Sequence, residues 1–226
     1  AKALSITKDH PMSELVLYIG NKNYSSWSFR PWIALKAAGI PFEERLIPFD
    51  FAAGNPEIKA VSPSGKVPLL VDGDLRIAES FAIIEYAAEL FPDRPVWPKE
   101  RAARAMARSM SMEMATGFAA LRSTCPMNLR RPKRAIPVSD EVRGDVARIE
   151  EIWHSCLERS KGLFLFGAFS AADAMFAPVV NRLDAYCLTD DPVTSAYIAA
   201  MKNHPAWRVW EEDARQEPWI VEEDEA

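Results

Sequence analysis

The chain has little of what metal, disulfide or hydrolytic chemistry needs. Of its 226 residues only three are cysteine (Cys125, Cys156 and Cys187) and three are histidine (His10, His154 and His204). The cysteines are odd in number and none stands in a C-x-x-C spacing, so no metal site is expected and all three read as small buried apolar residues. Such usage fits a reducing cytoplasm. A G-x-S-x-G elbow is missing too, and with His10 near the start and the other two histidines far down the chain, a Ser-His-Asp hydrolase has little support. The longest run without a charge, Gly162 to Ala172, is too short for a membrane span, which needs roughly 18 to 20 residues. A basic surplus is also absent: 27 Lys and Arg face 32 Asp and Glu, a net charge of −5, which argues against a nucleic-acid partner. The one locally basic stretch, Arg130, Arg131, Lys133 and Arg134, reads as a solvated loop around a proline. The first eleven residues lack the apolar stretch of a secretory signal. Met12 reads as the natural start, and residues 1–13 as a leader or tag-like extension.

What is present is ordinary globular material. Hydrophobic residues make up 49% of the chain and charged ones 26%, enough for one large domain or two small ones with a proper core. Leu15 to Ile19 is a short apolar run suited to a buried strand. A helix is expected from Ser28 to Ala38, stopped by Gly39, and a second strand from Phe42 to Phe49. Asn55 to Pro63 is broken. Val67 to Ser80 then reads as a hairpin around Asp72-Gly73-Asp74, followed by a helix with Phe81, Ile84, Ala88 and Phe91 at helical spacing. The order is β-α-β-(α)-β-β-α.

At Phe91 the composition changes. Three prolines between residues 91 and 98 mark a linker, and beyond it strand signals nearly vanish. Glu100 to Arg122 and Ser139 to Lys161 carry long helical patterns, Ser170 and Asp173 the outline of a capping box, and Val193 to Asn203 a last helix. The expectation is an α/β domain over 14–92 and an all-helical domain over 99–226.

Three weak signals recur in the first domain. Ser25-Ser26-Trp27-Ser28 joins the first strand to the first helix, where free N–H groups and the helix dipole favour an anion. Val67-Pro68 opens the third strand without a proline N–H, and X-Pro bonds are where cis peptides occur. Glu79-Ser80 closes the fourth strand at a helix start, able to hold an ammonium and a carboxylate.

In that order the motifs resemble the cytosolic glutathione transferases. SSWSFRPWIAL (25–35) is similar to the S-S-C-S-W-R-V-R-I-A-L signature of the zeta class, PSGKVPLL (63–70) and IAESFAIIEY (77–86) to the family's glutathione-site segments, and FSAADAMFAP (169–178) to its capping-box helix. The resemblance spans residues 15 to about 215. It implies a thioredoxin-like N-terminal domain, an all-α C-terminal domain, a homodimer, and a glutathione transferase that takes glutathione as co-substrate and a small hydrophobic electrophile as acceptor. Ser25 would then activate the glutathione thiol, with Tyr24 and then Ser28 as the alternative hydroxyls. Trp27 would flank the tripeptide, Val67 and Pro68 would meet its cysteinyl backbone, Glu79 and Ser80 its γ-glutamyl end, and Lys66 a carboxylate. Acceptor-site candidates are Tyr24, Met110, Met114, Phe118, Arg122, Arg182 and Trp219. Two departures bear on chemistry: Trp27 stands where the zeta signature has cysteine, and Ala185 where the zeta isomerases carry an arginine, with Arg182 nearly a turn earlier. Maleylacetoacetate-like isomerisation, and a glutathione-binding module without turnover, are the alternative readings.

Overall fold

A computed structural model describes residues 15–225; the calls made on residues 1–13 and on Met12 lie outside the described residues. The apolar run at the start forms β1 (Val16–Ile19), and the serine turn after it leads into α1 (Ser26–Ala37). β2 (Glu43–Leu46) lies parallel to β1, with Val16 opposite Glu43. After a short α2 (Pro56–Val61), the hairpin β3 (Leu69–Asp72) and β4 (Leu75–Ala78) completes a four-stranded sheet of order β2-β1-β3-β4. β3 runs antiparallel to both neighbours, with Leu17 opposite Leu70 and Leu69 opposite Ala78. α3 (Ser80–Leu90) packs beside α1, and Leu17, Ile19, Phe29, Ile33, Ile83 and Ile84 close the core between sheet and helices.

The remainder is helical: α4 (Arg101–Thr116), α5 (Ala119–Thr124), α6 (Asp140–Ser160), α7 (Ala171–Ala185), α8 (Pro192–Asn203) and α9 (Pro205–Gln216), ending in a 3₁₀ turn, η1 (Glu222–Asp224). α7 is the central post, apolar nearly all round and buried almost throughout. Asp173 secures its start: the Ser170 N–H donates to Oδ2 at 2.9 Å, and the Leu165 N–H and Tyr197 hydroxyl donate to Oδ1, both at 3.0 Å. α1 packs on α7, so the sheet half and the helical half share one core.

Several expectations are corrected. Glu100 to Arg122 is not one helix, because Gly117 turns extended and Phe118 adopts a left-handed φ of 55°. A Cβ at Gly117 would sit 2.7 Å from the Glu113 carbonyl, so only glycine permits this break. The segment 55–63 holds α2 where the expected order has its bracketed helix, whereas α9 is an addition, opened by Pro205 directly after α8. The proline-rich segment packs against the helical half: Val96 and Trp97 are buried, and the Val96 carbonyl accepts the Ala171 N–H at 2.7 Å. Arg130 to Arg134 is a loop, exposed from Pro132 to Arg134, whose basic side chains nonetheless have partners. Arg130 reaches the Glu217 carbonyl at 2.5 Å, Arg131 lies over the Tyr186 ring, and Lys133 pairs with Asp184. Cys125 and Cys156 are buried as expected, but Cys187 is exposed.

Candidate functional site

The turn from Asn21 to Ser25 enters α1 through two backbone bonds to the Asn21 carbonyl, from Tyr24 N–H at 3.2 Å and Ser25 N–H at 2.7 Å. Ser25 is the N-cap residue, yet its hydroxyl caps nothing and donates instead to Ser28 Oγ at 2.7 Å. Ser28 Oγ also accepts the Gly20 N–H at 3.1 Å. Gly20 is needed here: an added Cβ would lie 2.5 Å from the Phe49 ring and 3.2 Å from Ser25 Oγ.

Ser25 opens on a cavity of about 230 Å³ between the two halves of the chain. Tyr24, Ser25, Ser26, Trp27, Phe49, Phe51 and Val67 form one wall; Arg122, Pro126, Met127, Arg182 and Asp224 form the other. Val67 precedes a cis bond to Pro68, and its own backbone groups lie outside the β1–β3 register, which begins at Leu69. Glu79 is exposed at φ 69°, ψ 126°, a backbone region that costs a non-glycine residue energy and tends to persist at functional positions. Ser80 is buried, and its hydroxyl donates to the Trp27 carbonyl at 2.7 Å, which binds the start of α3 to the start of α1. That hydroxyl proton is committed inside the protein, so the unpaired donors at this helix start are its first backbone N–H groups. Lys66 is exposed near the same edge.

Positive charge dominates the far wall. Arg182 is buried and donates through Nε to the Cys125 carbonyl at 2.8 Å, while Nη1 has no partner among the described residues. Arg30 is fully buried in α1, held by the Met175 and Ser26 carbonyls and by Met114 sulfur at 3.1 Å. Burial pushes the Arg182 guanidinium down to about 10 and holds Arg30 well below the usual arginine range, with the neighbouring guanidiniums adding to both shifts. The Trp27 ring sits between Arg30, 4.1 Å from its centroid, and Arg122, at 5.6 Å. Asp224 is the one carboxylate on the cavity wall, and burial raises it above its ordinary value.

The predicted acceptor residues are divided by the structure. Arg122 and Arg182 line the cavity, but Met110, Met114 and Phe118 belong to the core of the helical half. α4 turns its methionine stripe toward α7, and the break at Gly117 swings Phe118 inward. Trp219 is partly exposed and contributes its carbonyl to Arg130 at 2.6 Å rather than a ring to the cavity. Tyr24 lines the cavity, yet its hydroxyl donates to Glu225 and accepts from Arg130 Nη2 at 2.8 Å. Phe49, Phe51, Met127 and Asp224 were not foreseen. A larger cavity of about 580 Å³ against α4 and α6, lined by Trp97, Met106 and Phe169, holds none of the predicted site residues. Among the described residues no cluster of His, Cys, Asp and Glu could hold a metal ion, and no helix is long and apolar enough to cross a membrane.

Residues 24–90, which carry the serine turn, the cis-proline edge and the Glu79-Ser80 junction, match the family described as "Glutathione S-transferase, N-terminal domain". By that match the first half of the chain is similar to the N-terminal domain of the glutathione S-transferases, and zeta-class members stand among the relatives. Among its relatives is a probable maleylacetoacetate isomerase of Caenorhabditis elegans, 36% identical over 53% of this chain and 55% of the relative. A zeta-class glutathione S-transferase of Euphorbia esula is 40% identical over 34% of each chain. Glutathione S-transferase omega-2 of Rattus norvegicus matches more extensively, over 87% of this chain and 79% of its own length, at 28% identity. The chain thus spans about half the length of the first curated relative, and less of the zeta-class one. The glutathione transferase fold extends over both halves. A glutathione transferase homolog from Burkholderia, crystallised with bound glutathione, superposes with a TM-score of 0.68 at 22% identity, covering 91% of this chain and 99% of that one. For a thioredoxin-like domain followed by an all-α domain, the sheet order and the helical remainder are as expected.

Proposed function

We propose that this chain is a cytosolic glutathione transferase that activates the thiol of glutathione with Ser25 for attack on an electrophilic acceptor held in the cavity between its two halves. The observation that carries the reading is the placement of Ser25 Oγ: it lies at the N-terminus of α1, lines the cavity and shares it with Val67. A thiol of pKa about 8.5 is mostly protonated at neutral pH. The dipole of α1 supplies roughly 0.5 to 2 kcal/mol toward the thiolate, worth about 0.4 to 1.5 pKa units. The Ser25 hydroxyl, turning from Ser28 to the sulfur, adds a charge-assisted hydrogen bond. The thiol proton leaves to solvent. The sulfur lone pair then forms a bond to the electrophilic carbon, and the leaving group departs with the electrons of the broken bond.

The residues fit an extended tripeptide. Val67 offers backbone groups outside the ladder for antiparallel pairing with the cysteinyl unit, a one-residue strand addition. The first N–H groups of α3 meet the γ-glutamyl carboxylate, Glu79 its ammonium, Lys66 the other end, and Trp27 packs alongside. No metal enters this chemistry.

A second reading, glutathione-dependent isomerisation of an acidic substrate, is favoured by Arg122 and Arg182 on the cavity wall and by the unpartnered Nη1 of Arg182. Two relatives, from Caenorhabditis elegans and Vibrio cholerae, are named probable maleylacetoacetate isomerases. Arg182 occupies the acceptor wall although Ala185 stands at the position where the resemblance asks for arginine.

The test is retention on immobilised glutathione followed by turnover of chloronitrobenzenes, isothiocyanates, epoxides, hydroperoxides and maleyl compounds. Turnover of the neutral electrophiles supports transfer, turnover of maleyl compounds alone supports isomerisation, and retention without any turnover leaves a binding module. Homodimerisation belongs to the same reading; light scattering at twice the mass of 25.3 kDa is the expected result.

A further inference from the structure

The C-terminal segment after α9 returns to the serine turn, and there we infer that Glu217 is a positioning residue for thiol activation, holding the Ser25 turn from the far end of the chain. The inference rests on the transferase reading of Ser25. The bonds to the Asn21 carbonyl close the turn on one side and leave the Lys22 and Asn23 N–H groups pointing away from it. Both donate to one carboxylate: Lys22 N–H to Glu217 Oε1 at 2.6 Å and Asn23 N–H to Oε2 at 3.1 Å. Two adjacent backbone donors converging on an anion form a small nest, and charge-assisted bonds are about twice as strong as neutral ones.

Glu217 is itself fixed. It is buried, and its carbonyl accepts Arg130 Nη1 at 2.5 Å. The other ties on the turn are neutral or reach only its side chains. Trp210 Nε1 donates to the Lys22 carbonyl at 2.9 Å, Asn23 Nδ2 donates to Asn128 Oδ1 at 3.0 Å, and the Lys22 ammonium pairs with Glu44 and Asp213. Glu217 is therefore the one ionic anchor on the backbone of the turn among the described residues, two positions before Ser25. The charged groups facing it are Lys22 from the turn and Arg130 from the segment after α5, with Glu44 and Asp213 behind Lys22 and Glu225 behind Arg130 through Tyr24. Burial raises its carboxyl above the ordinary glutamate value, in keeping with a carboxylate taken out of water for a structural purpose.

Position and charge act with opposite sign, which makes the inference decidable. A negative charge near the turn disfavours a thiolate, so if Glu217 acted by charge alone, its neutralisation would lower the bound thiol's pKa. If it acts by holding Ser25, neutralisation raises that pKa. The experiment titrates the ultraviolet absorbance of the glutathione thiolate bound to wild type, Glu217→Gln, Glu217→Asp and the surface control Glu158→Gln. In parallel, amide hydrogen exchange is measured for residues 20–30 in the ligand-free proteins. Glu217→Gln is expected to raise the bound thiol's pKa by about 0.5 to 1 unit, a roughly three- to tenfold fall in its ionisation constant. Glutathione affinity should change less than twofold, and exchange in the turn should quicken. Glu217→Asp should recover part of both effects and Glu158→Gln show neither. An unchanged or lowered thiol pKa with unchanged exchange overturns the inference, and so does a Glu217→Asp variant no better than Glu217→Gln. Wild type failing to bind glutathione overturns the transferase reading and with it the thiol-activating role, while the exchange data still decide whether Glu217 holds the turn.

Discussion

Ser25 Oγ donates its hydrogen bond to Ser28 Oγ, 2.7 Å away, so this hydroxyl rests on a neighbour instead of capping its own helix. Ser28 in turn is fully buried and accepts from Gly20. The pair divides two roles: Ser25 borders the cavity, and Ser28 fixes where Ser25 points.

Ser25→Ala should remove the hydroxyl without disturbing the fold. A hydrogen bond to a charged group contributes about 1.5 to 3 kcal/mol, so turnover should fall about ten- to hundredfold while glutathione is still retained. Ser28→Ala should cost stability as well, because it leaves the buried Gly20 N–H unpaired, about 1 to 3 kcal/mol. Unchanged turnover in Ser25→Ala, measured beside a thermal melt, would remove Ser25 from the mechanism.

Tyr24→Phe separates the competing hydroxyl from Ser25. The Tyr24 phenol is raised above its ordinary value, chiefly by burial and then by its bond to Glu225, and it already has two partners. Tyr24→Phe is therefore expected to leave the pKa of bound glutathione in place and to loosen the last residues of the chain, visible as faster proteolysis there. A rise in the thiol pKa would make Tyr24 the activating group.

Arg182→Gln tests the acidic-acceptor reading. Among the described residues the buried guanidinium bonds the Cys125 carbonyl through Nε, and Nη1 is left without a partner for a substrate carboxylate to meet. The kcat/KM for a maleyl compound should drop about ten- to hundredfold, the cost of one charged hydrogen bond. A neutral chloronitrobenzene should lose less than threefold. Equal losses for both acceptors would reduce Arg182 to a structural residue.

What the sequence made legible was local. The serine turn, Val67-Pro68 and Glu79-Ser80 are each a few residues of special backbone chemistry at a strand end, and turn chemistry is written in short range. The opposite wall was not legible, because Arg122, Arg182 and Asp224 come from three separate elements whose approach depends on how α5, α7 and η1 pack. The methionine stripe on α4 misled for the same reason: periodicity shows that Met110 and Met114 share a face, but only packing decides that the face belongs to the core. Glu217 was hidden in an acidic, non-periodic tail, and nothing within its own stretch points to a partner near residue 22.

Asp173 gives the chain a stability profile opposite to that of most carboxylate-anchored folds. Fully buried in the first turn of α7, it is pushed up to about 6 by desolvation, against which the Leu165 and Ser170 N–H groups and the Tyr197 hydroxyl pull downward. Between the unfolded value near 3.9 and the folded value the native state holds this proton more tightly than the unfolded chain, so this group's contribution to stability falls as pH rises through that window. A shift of about two units corresponds to about 3 kcal/mol, an upper figure for a buried group whose neighbours relax. Urea midpoints measured from pH 4 to pH 7 should therefore carry a downward component from Asp173. Asp173→Asn, which keeps the acceptor oxygen on Oδ1 but cannot ionise, should lose that component while lowering stability across the whole range through the weakened cap. If the difference between wild type and Asp173→Asn is the same at every pH, Asp173 does not titrate in this window.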